Sequence, residues 1–114
     1  MEKSAMEREA RFRQLLLESI DEGICGVLGE GSRQAVFYHV ENRFQVRREK
    51  IPEDLENFQN GLAKIFGSGA RVLARVIARR LCEKLEIPFS WRNDYDFKTY
   101  VEDCKLRYEE KQRG

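Results

Sequence analysis

Apolar side chains return every third or fourth position in five successive segments of this chain, and no segment alternates apolar and polar residues with a period of two. A stripe of that period can bury itself only as one face of a helix, so the pattern commits the chain to an all-α fold. At 114 residues the chain is long enough to bury roughly two thirds of its unfolded surface. The reading is a single compact domain of about five helices over residues 1–114, with a polar helix start at 1–10 and a frayed polar tail at 109–114.

The first helix is long, from about Met6 to Leu28, with Phe12, Leu16, Ile20, Gly23 and Val27 on its stripe and Leu15, Ile24 and Leu28 widening it. Glu7 with Arg11 and Glu9 with Arg13 stand four apart in its first turns, a spacing that suits intrahelical ion pairs. Ser19, Gly23 and Gly26 share a face. Two glycines inside a helix cost about 1 kcal/mol each relative to alanine, so a close helix crossing is expected where they lie.

Turn chemistry divides the rest. In GEGSRQ, Gly29 or Gly31 suits a left-handed cap and Ser32 is placed to cap a second helix, whose inner side carries Val36, Phe37, Val40 and Phe44. Its glycines fail as a phosphate-binding loop, because no strand precedes them and no lysine follows in the required place. Pro52 is preorganised for the first turn of a third helix, whose stripe is Ile51, Leu55, Phe58, Leu62, Ile65 and Phe66. After Gly67, a fourth helix carries Ala70, Leu73, Ala74, Ile77, Leu81 and Leu85, widened by Val76, Ala78 and Cys82, and Pro88 stops it. Asn93 or Asp94 is placed to cap a last helix with Phe97, Tyr100, Val101, Cys104 and Tyr108 inward.

The chemistry-bearing residues are few. His39 is the only histidine, so no histidine pair exists for a metal site or proton relay. Cys25, Cys82 and Cys104 are widely spaced and odd in number, which argues against a disulfide framework and for small hydrophobes in a reduced, cytoplasmic setting. Carboxylate pairs such as Glu53 with Glu56, or Glu102 with Asp103, lack the histidine of a di-iron motif and read as solvated faces. No catalytic, cofactor-binding or metal-binding residue is nominated, and no stretch approaches a membrane span.

Two features suit partner binding. Arg71, Arg75 and Arg79 form a row on the narrow polar face of the fourth helix, and acids of PEDLEN are the expected ion partners of such a row. Trp91 and Arg92 stand in the aromatic connector PFSWRNDYDF, which is either a plug over the core or a contact surface rich in the residue types that dominate interfaces. With 21 basic and 20 acidic residues, the net charge of +1 gives no overall field toward a polyanion.

The runs LGEGSRQAVFYHVENRF, IPEDLENFQNGLAKIFGSGARVLARVIARRLCEKLEI and DYDFKTYVEDCK, spanning roughly Val27 to Lys105, resemble a family of small all-helical archaeal domains of unknown molecular function. Leu28, Gly29, Gln34, Ala35, Tyr38, His39, Pro52, Phe58, Phe66, Gly67, Gly69, Ala70, Phe97, Tyr100 and Val101 carry the likeness; Gly31 and the long first helix depart from it. The resemblance implies an output module of archaeal signal transduction, and it carries over no catalytic residue. The resulting expectation is a non-enzymatic protein-interaction module, an output or adaptor domain that self-associates through its first helix as a homodimer. The alternative is a nucleic-acid-binding module using Arg71, Arg75, Arg79 and Arg80, with Arg47 and Arg48 as a second basic site.

Overall fold

The computed structural model describes residues 4–113. Five α-helices and a short 3-10 helix follow one another, with no strand among the described residues: α1 (Ala5–Leu28), α2 (Glu30–Phe44), the 3-10 helix (Arg48–Glu53), α3 (Leu55–Phe66), α4 (Gly69–Leu85) and α5 (Phe97–Arg113). The all-α expectation and its five main helices hold. Residues 1–3 of the expected polar helix start, and Gly114 of the tail, lie outside the described residues.

α1 begins where the Ser4 hydroxyl accepts a hydrogen bond from the Glu7 N–H at 3.2 Å. The buried stripe is Phe12, Leu15, Leu16, Ser19, Ile20, Gly23 and Ile24; Val27, in the last turn, is exposed. Ser19 is satisfied within the core by donating to the Leu15 carbonyl at 2.7 Å. The acid–base pairs expected inside the first turns are replaced by pairs between elements, Glu9 with Lys105 and Arg13 with Glu53. A neighbouring helix offers each side chain a partner without bending it along its own surface.

The break between α1 and α2 is a single residue. Gly29 takes φ +90°, a conformation that favours glycine, and its N–H caps the Cys25 carbonyl at 2.8 Å. Ser32 therefore lies inside α2 and caps nothing. α2 buries Val36 and Val40, with Phe37 and Phe44 packed half-buried beside them.

Pro52 does not open α3 as expected. It sits in the 3-10 helix, which drives Ile51 fully into the core, and α3 starts two residues after it ends. The Glu49 carbonyl, which the missing Pro52 N–H would have served, accepts from the Arg13 guanidinium instead.

α4 is the central element. It buries Leu73, Ala74, Ile77, Ala78, Leu81, Cys82 and Leu85, and it packs on α1, α3 and α5. α1 crosses it at Gly23, where an added Cβ would lie 2.7 Å from Ile77 Cγ1. Arg80 and Lys84 of α4 reach Glu22 of α1, and Lys84 also reaches Glu18, along the rim of that crossing. α5 lays Phe97, Tyr100, Val101, Cys104 and Tyr108 inward, as its spacing requires. It stays helical through 109–113 instead of fraying. Lys111 Nζ donates to the Leu85 and Glu86 carbonyls at 3.2 and 2.8 Å, satisfying the open carbonyl end of α4.

Candidate functional site: an arginine-rimmed hollow beside Trp91

The connector between α4 and α5, residues 86–96, has no regular structure yet is firmly held. Tyr100 of α5 is its hub: the phenol accepts from the Arg92 N–H and donates to the Arg92 carbonyl, both at 2.9 Å. The Phe89 and Tyr95 rings pack on the Tyr100 ring at 5.8 and 5.2 Å. These two side chains cover the core, and Phe97 meets Phe58 inside it at 5.6 Å. Asn93 and Asp94 form a turn, closed by the Tyr95 N–H to the Arg92 carbonyl. The N-cap of α5 is consequently Asp96, not Asn93 or Asp94; its Oδ1 accepts from the Thr99 N–H at 2.8 Å and the Thr99 hydroxyl at 2.7 Å.

Trp91 faces the other way. Its side is 50% exposed, so it is no plug. The ring is nevertheless fixed at two points: the Arg75 guanidinium carbon lies 3.1 Å from its centroid, and its Nε1 donates to Asn93 Oδ1 at 2.5 Å. Arg71 Nη2 donates to the Asn93 carbonyl at 2.6 Å, tying the same turn to the first turn of α4. Arg92 lies over the Tyr95 ring at 5.6 Å.

Beside Trp91 opens a hollow of about 420 Å³ between α3, α4 and the connector. Leu62 and Ala74 give it an apolar floor, and Arg71, Arg75 and Arg92 stand on its rim. Four of the five residues nominated from the sequence thus converge on one hollow. The fifth, Arg79, is exposed one turn farther along α4 and does not line it.

The expected pairing of the arginine row with the acids of PEDLEN does not occur. Glu53 is taken by Arg13, and Asp54 accepts from Asn57. Among the described residues, Arg71, Arg75, Arg79 and Arg92 form no ion pair with a carboxylate, whereas Arg80, turned toward α1, has Glu22. Among the described residues, the acids lining the hollow are Asp94 and Asp96, and Asp96 is occupied by Thr99 and by Gln59 Nε2 at 3.1 Å. The rim is therefore a patch of guanidinium charge beside an exposed indole.

The other nominated groups stay apart. Arg48 of the second basic site grips Asp21 of α1 through two hydrogen bonds, one of 3.0 Å, which spends its charge inside the fold. His39 is exposed on α2 with its ring 5.6 Å from that of Tyr38. Cys25 donates to Glu30, while Cys82 and Cys104 are buried between α4 and α5. Among the described residues no three His, Cys, Asp or Glu side chains converge to hold a metal ion, and no helix is long and apolar enough to cross a membrane.

A second hollow, of about 520 Å³, lies between the start of α1, the 3-10 helix and α5, with Met6 exposed at its edge. Sequence reasoning missed both hollows, and it missed Asn93 as the bracket of the Trp91 ring. Only the aromatic density of the connector pointed there. Comparison with family models, with curated proteins and with solved structures finds no match for this chain.

Proposed function

We propose that this chain is a non-enzymatic protein-interaction module of the output or adaptor kind, and that its docking site is the hollow beside Trp91. The occupant is a partner-protein segment that places one apolar side chain on the Leu62 and Ala74 floor and flanking carboxylates on Arg71, Arg75 and Arg92. The observation that carries this reading is the fixed, half-exposed Trp91 ring beside three arginines that lack carboxylate partners. Tryptophan and arginine are the side chains on which interface energy concentrates, and a ring already held in place loses little freedom when it is covered. The first helix spends its stripe against α4, α2 and the 3-10 helix, so self-association would use Met6 and the hollow at its foot.

Trp91 is the only tryptophan, so its fluorescence reports occupancy directly. Acidic peptides with a central leucine or phenylalanine are titrated against it, in parallel with single-stranded and duplex oligonucleotides. Saturable binding of such a peptide, weakened about 30-fold or more by Trp91→Ala, is the expected result. Lack of binding to any acidic peptide, with oligonucleotide binding that falls steeply with salt, would move the function to the nucleic-acid reading. Light scattering across a concentration series tests the homodimer, and a Met6→Glu variant that dimerises unchanged would remove the first helix from it.

A further inference from the structure

Cys82 of α4 and Cys104 of α5 face each other across the seam between the two helices, each 1% exposed, with their Sγ atoms 3.3 Å apart. Both are free thiols. Closing to a disulfide bond of about 2.05 Å asks the sulfurs to move together by about 1.3 Å, a distance that small side-chain rotations can cover. Their surroundings are not alike. Arg107, one turn beyond Cys104, places Nη2 3.7 Å from Cys82 Sγ, and it is anchored there by Asp103 at 3.1 Å and the Pro88 carbonyl at 2.6 Å.

The hydrogen bond from the Cys104 thiol, aided by the Arg107 charge, draws the Cys82 thiol below its ordinary pKa against the opposing effect of burial. The same hydrogen bond, with burial, pushes Cys104 up. One sulfur is thus prepared to attack and its neighbour keeps a proton. Cys25 differs from both: it is half-buried, and its thiol is held protonated by the bond it donates to Glu30.

We propose that Cys82 and Cys104 form an oxidisable dithiol site, with a peroxide as the oxidant, Cys82 as the attacking sulfur and Cys104 as the resolving one. The Cys82 thiolate attacks one oxygen of hydrogen peroxide, the O–O bond breaks, and the departing hydroxide takes a proton to become water. The Cys104 sulfur then displaces the hydroxyl from the Cys82 sulfenic acid, and its proton leaves with that hydroxyl as a second water. Two thiols are oxidised and one peroxide is reduced. Arg107 is partly exposed, so peroxide reaches the sulfur along its side chain when it swings aside. The product staples α4, which carries Arg71 and Arg75, to α5, which carries Tyr100, and so fixes the two helices that frame the hollow. The inference does not depend on what the hollow binds.

The test uses the full chain with Cys25→Ser, treated with stoichiometric hydrogen peroxide, then unfolded, alkylated and mapped by mass spectrometry. The expected result is joint loss of both remaining thiols, a mass lower by two hydrogen atoms, a single intrachain peptide pair joining Cys82 to Cys104, and reversal by dithiothreitol. Both thiols staying alkylatable, sulfinic acid at Cys82 without a cross-link, or a bond between two chains would overturn the site. In the same background Arg107→Gln is expected to slow oxidation several-fold, and an unchanged rate would overturn the assignment of Cys82 as the attacking sulfur. Cys104→Ala should accumulate a sulfenic acid that dimedone traps at Cys82; where that variant does not fold, the cross-link map of the parent decides alone.

Discussion

Gly23→Ala and Gly31→Ala are the same chemical change at two helical positions, and the structure assigns them opposite signs. At Gly31, in α2, a new Cβ meets nothing within 4 Å, so the substitution only removes freedom from the unfolded chain and should stabilise by about 0.4–1 kcal/mol. At Gly23 the new Cβ would sit 2.7 Å from Ile77 Cγ1 and 3.4 Å from Ile77 Cα, where carbon atoms prefer about 3.5–4.0 Å. Ile77 is fully buried and branched at Cβ, so its Cγ1 moves only by leaving its rotamer or by parting α1 from α4. Overpacking of this kind costs about 1–3 kcal/mol, against which the helix-propensity gain returns about 1 kcal/mol. The intrinsic gain cancels between the two variants. Their difference in urea unfolding free energy should therefore be the clash itself, about 1–3 kcal/mol, with Gly23→Ala the weaker protein. Ile77→Ala removes the offending Cγ1, so in that background Gly23→Ala should lose most of its cost, giving a coupling of about 1–2 kcal/mol. Equal shifts of the two alanine variants, or no coupling to residue 77, would refute the close crossing as the reason glycine stands there.

Asp96→Ala removes the cap of α5 and should cost about 1 kcal/mol near neutral pH, read from urea unfolding. Burial works against ionisation of Asp96, but hydrogen bonds from Thr99 and Gln59 outweigh it and hold the carboxyl below its ordinary pKa. A depressed folded pKa means the contribution is complete above the unfolded value of about 3.9 and is lost as pH falls through the folded one, so parent and variant should converge in acid. A gap that persists at low pH would show that the carboxylate charge is not what caps the helix. Glu86→Gly should stabilise by about 0.5–1 kcal/mol in thermal unfolding, because Glu86 ends α4 at φ +57°, where a side chain is disfavoured, and Lys111 uses only its carbonyl. A loss of stability would mean that the Glu86 side chain has a role of its own. Arg79→Glu should change acidic-peptide affinity less than threefold while Arg75→Glu removes most of it, since a charge away from a binding site acts weakly and Arg79 does not line the hollow. Equal losses for both, measured by Trp91 fluorescence, would instead fit an extended polyanion counted phosphate by phosphate.

The helices were legible because their evidence is local. Every inward residue expected of α5 is buried, and the core of α4 follows its stripe, since a repeat of three and four positions leaves the burial of a face few alternatives. The caps were less legible where competing groups stood side by side. Asn93, Asp94 and Asp96 are all capable of capping α5, and the choice falls to Asp96 because Trp91 and Arg71 claim Asn93 from the other side. Gln45 and Glu86 end α2 and α4 in left-handed conformations without glycine, which leaves no trace in the residue types. The thiol pair was invisible for a different reason. Cys82 and Cys104 lie 22 positions apart on two helices, and their meeting depends on how α5 slides along α4, which no spacing rule encodes.

The distribution of cations on α4 links the fold to the proposed site. Arg80 and Lys84 point to α1 and are neutralised by Glu18 and Glu22, so charge on that side serves the α1–α4 crossing. The carbonyl end of α4 is answered by Lys111 from α5, so that end is closed as well. Arg71 and Arg75 lie toward the opposite end, where α3 and the connector border the hollow; Asp94 and Asp96 line it too but pair with neither arginine, and what meets the two guanidinium groups is the Asn93 carbonyl and the Trp91 indole. A guanidinium satisfied by a carbonyl or a ring keeps its net charge and retains donors for an incoming anion. Seven buried residues of α4 hold its other face in the core and keep Arg71 and Arg75 on the side of the connector. In the function proposed above, the complement of their charge comes from another molecule, and the hollow beside Trp91 offers that molecule an apolar floor next to the charge.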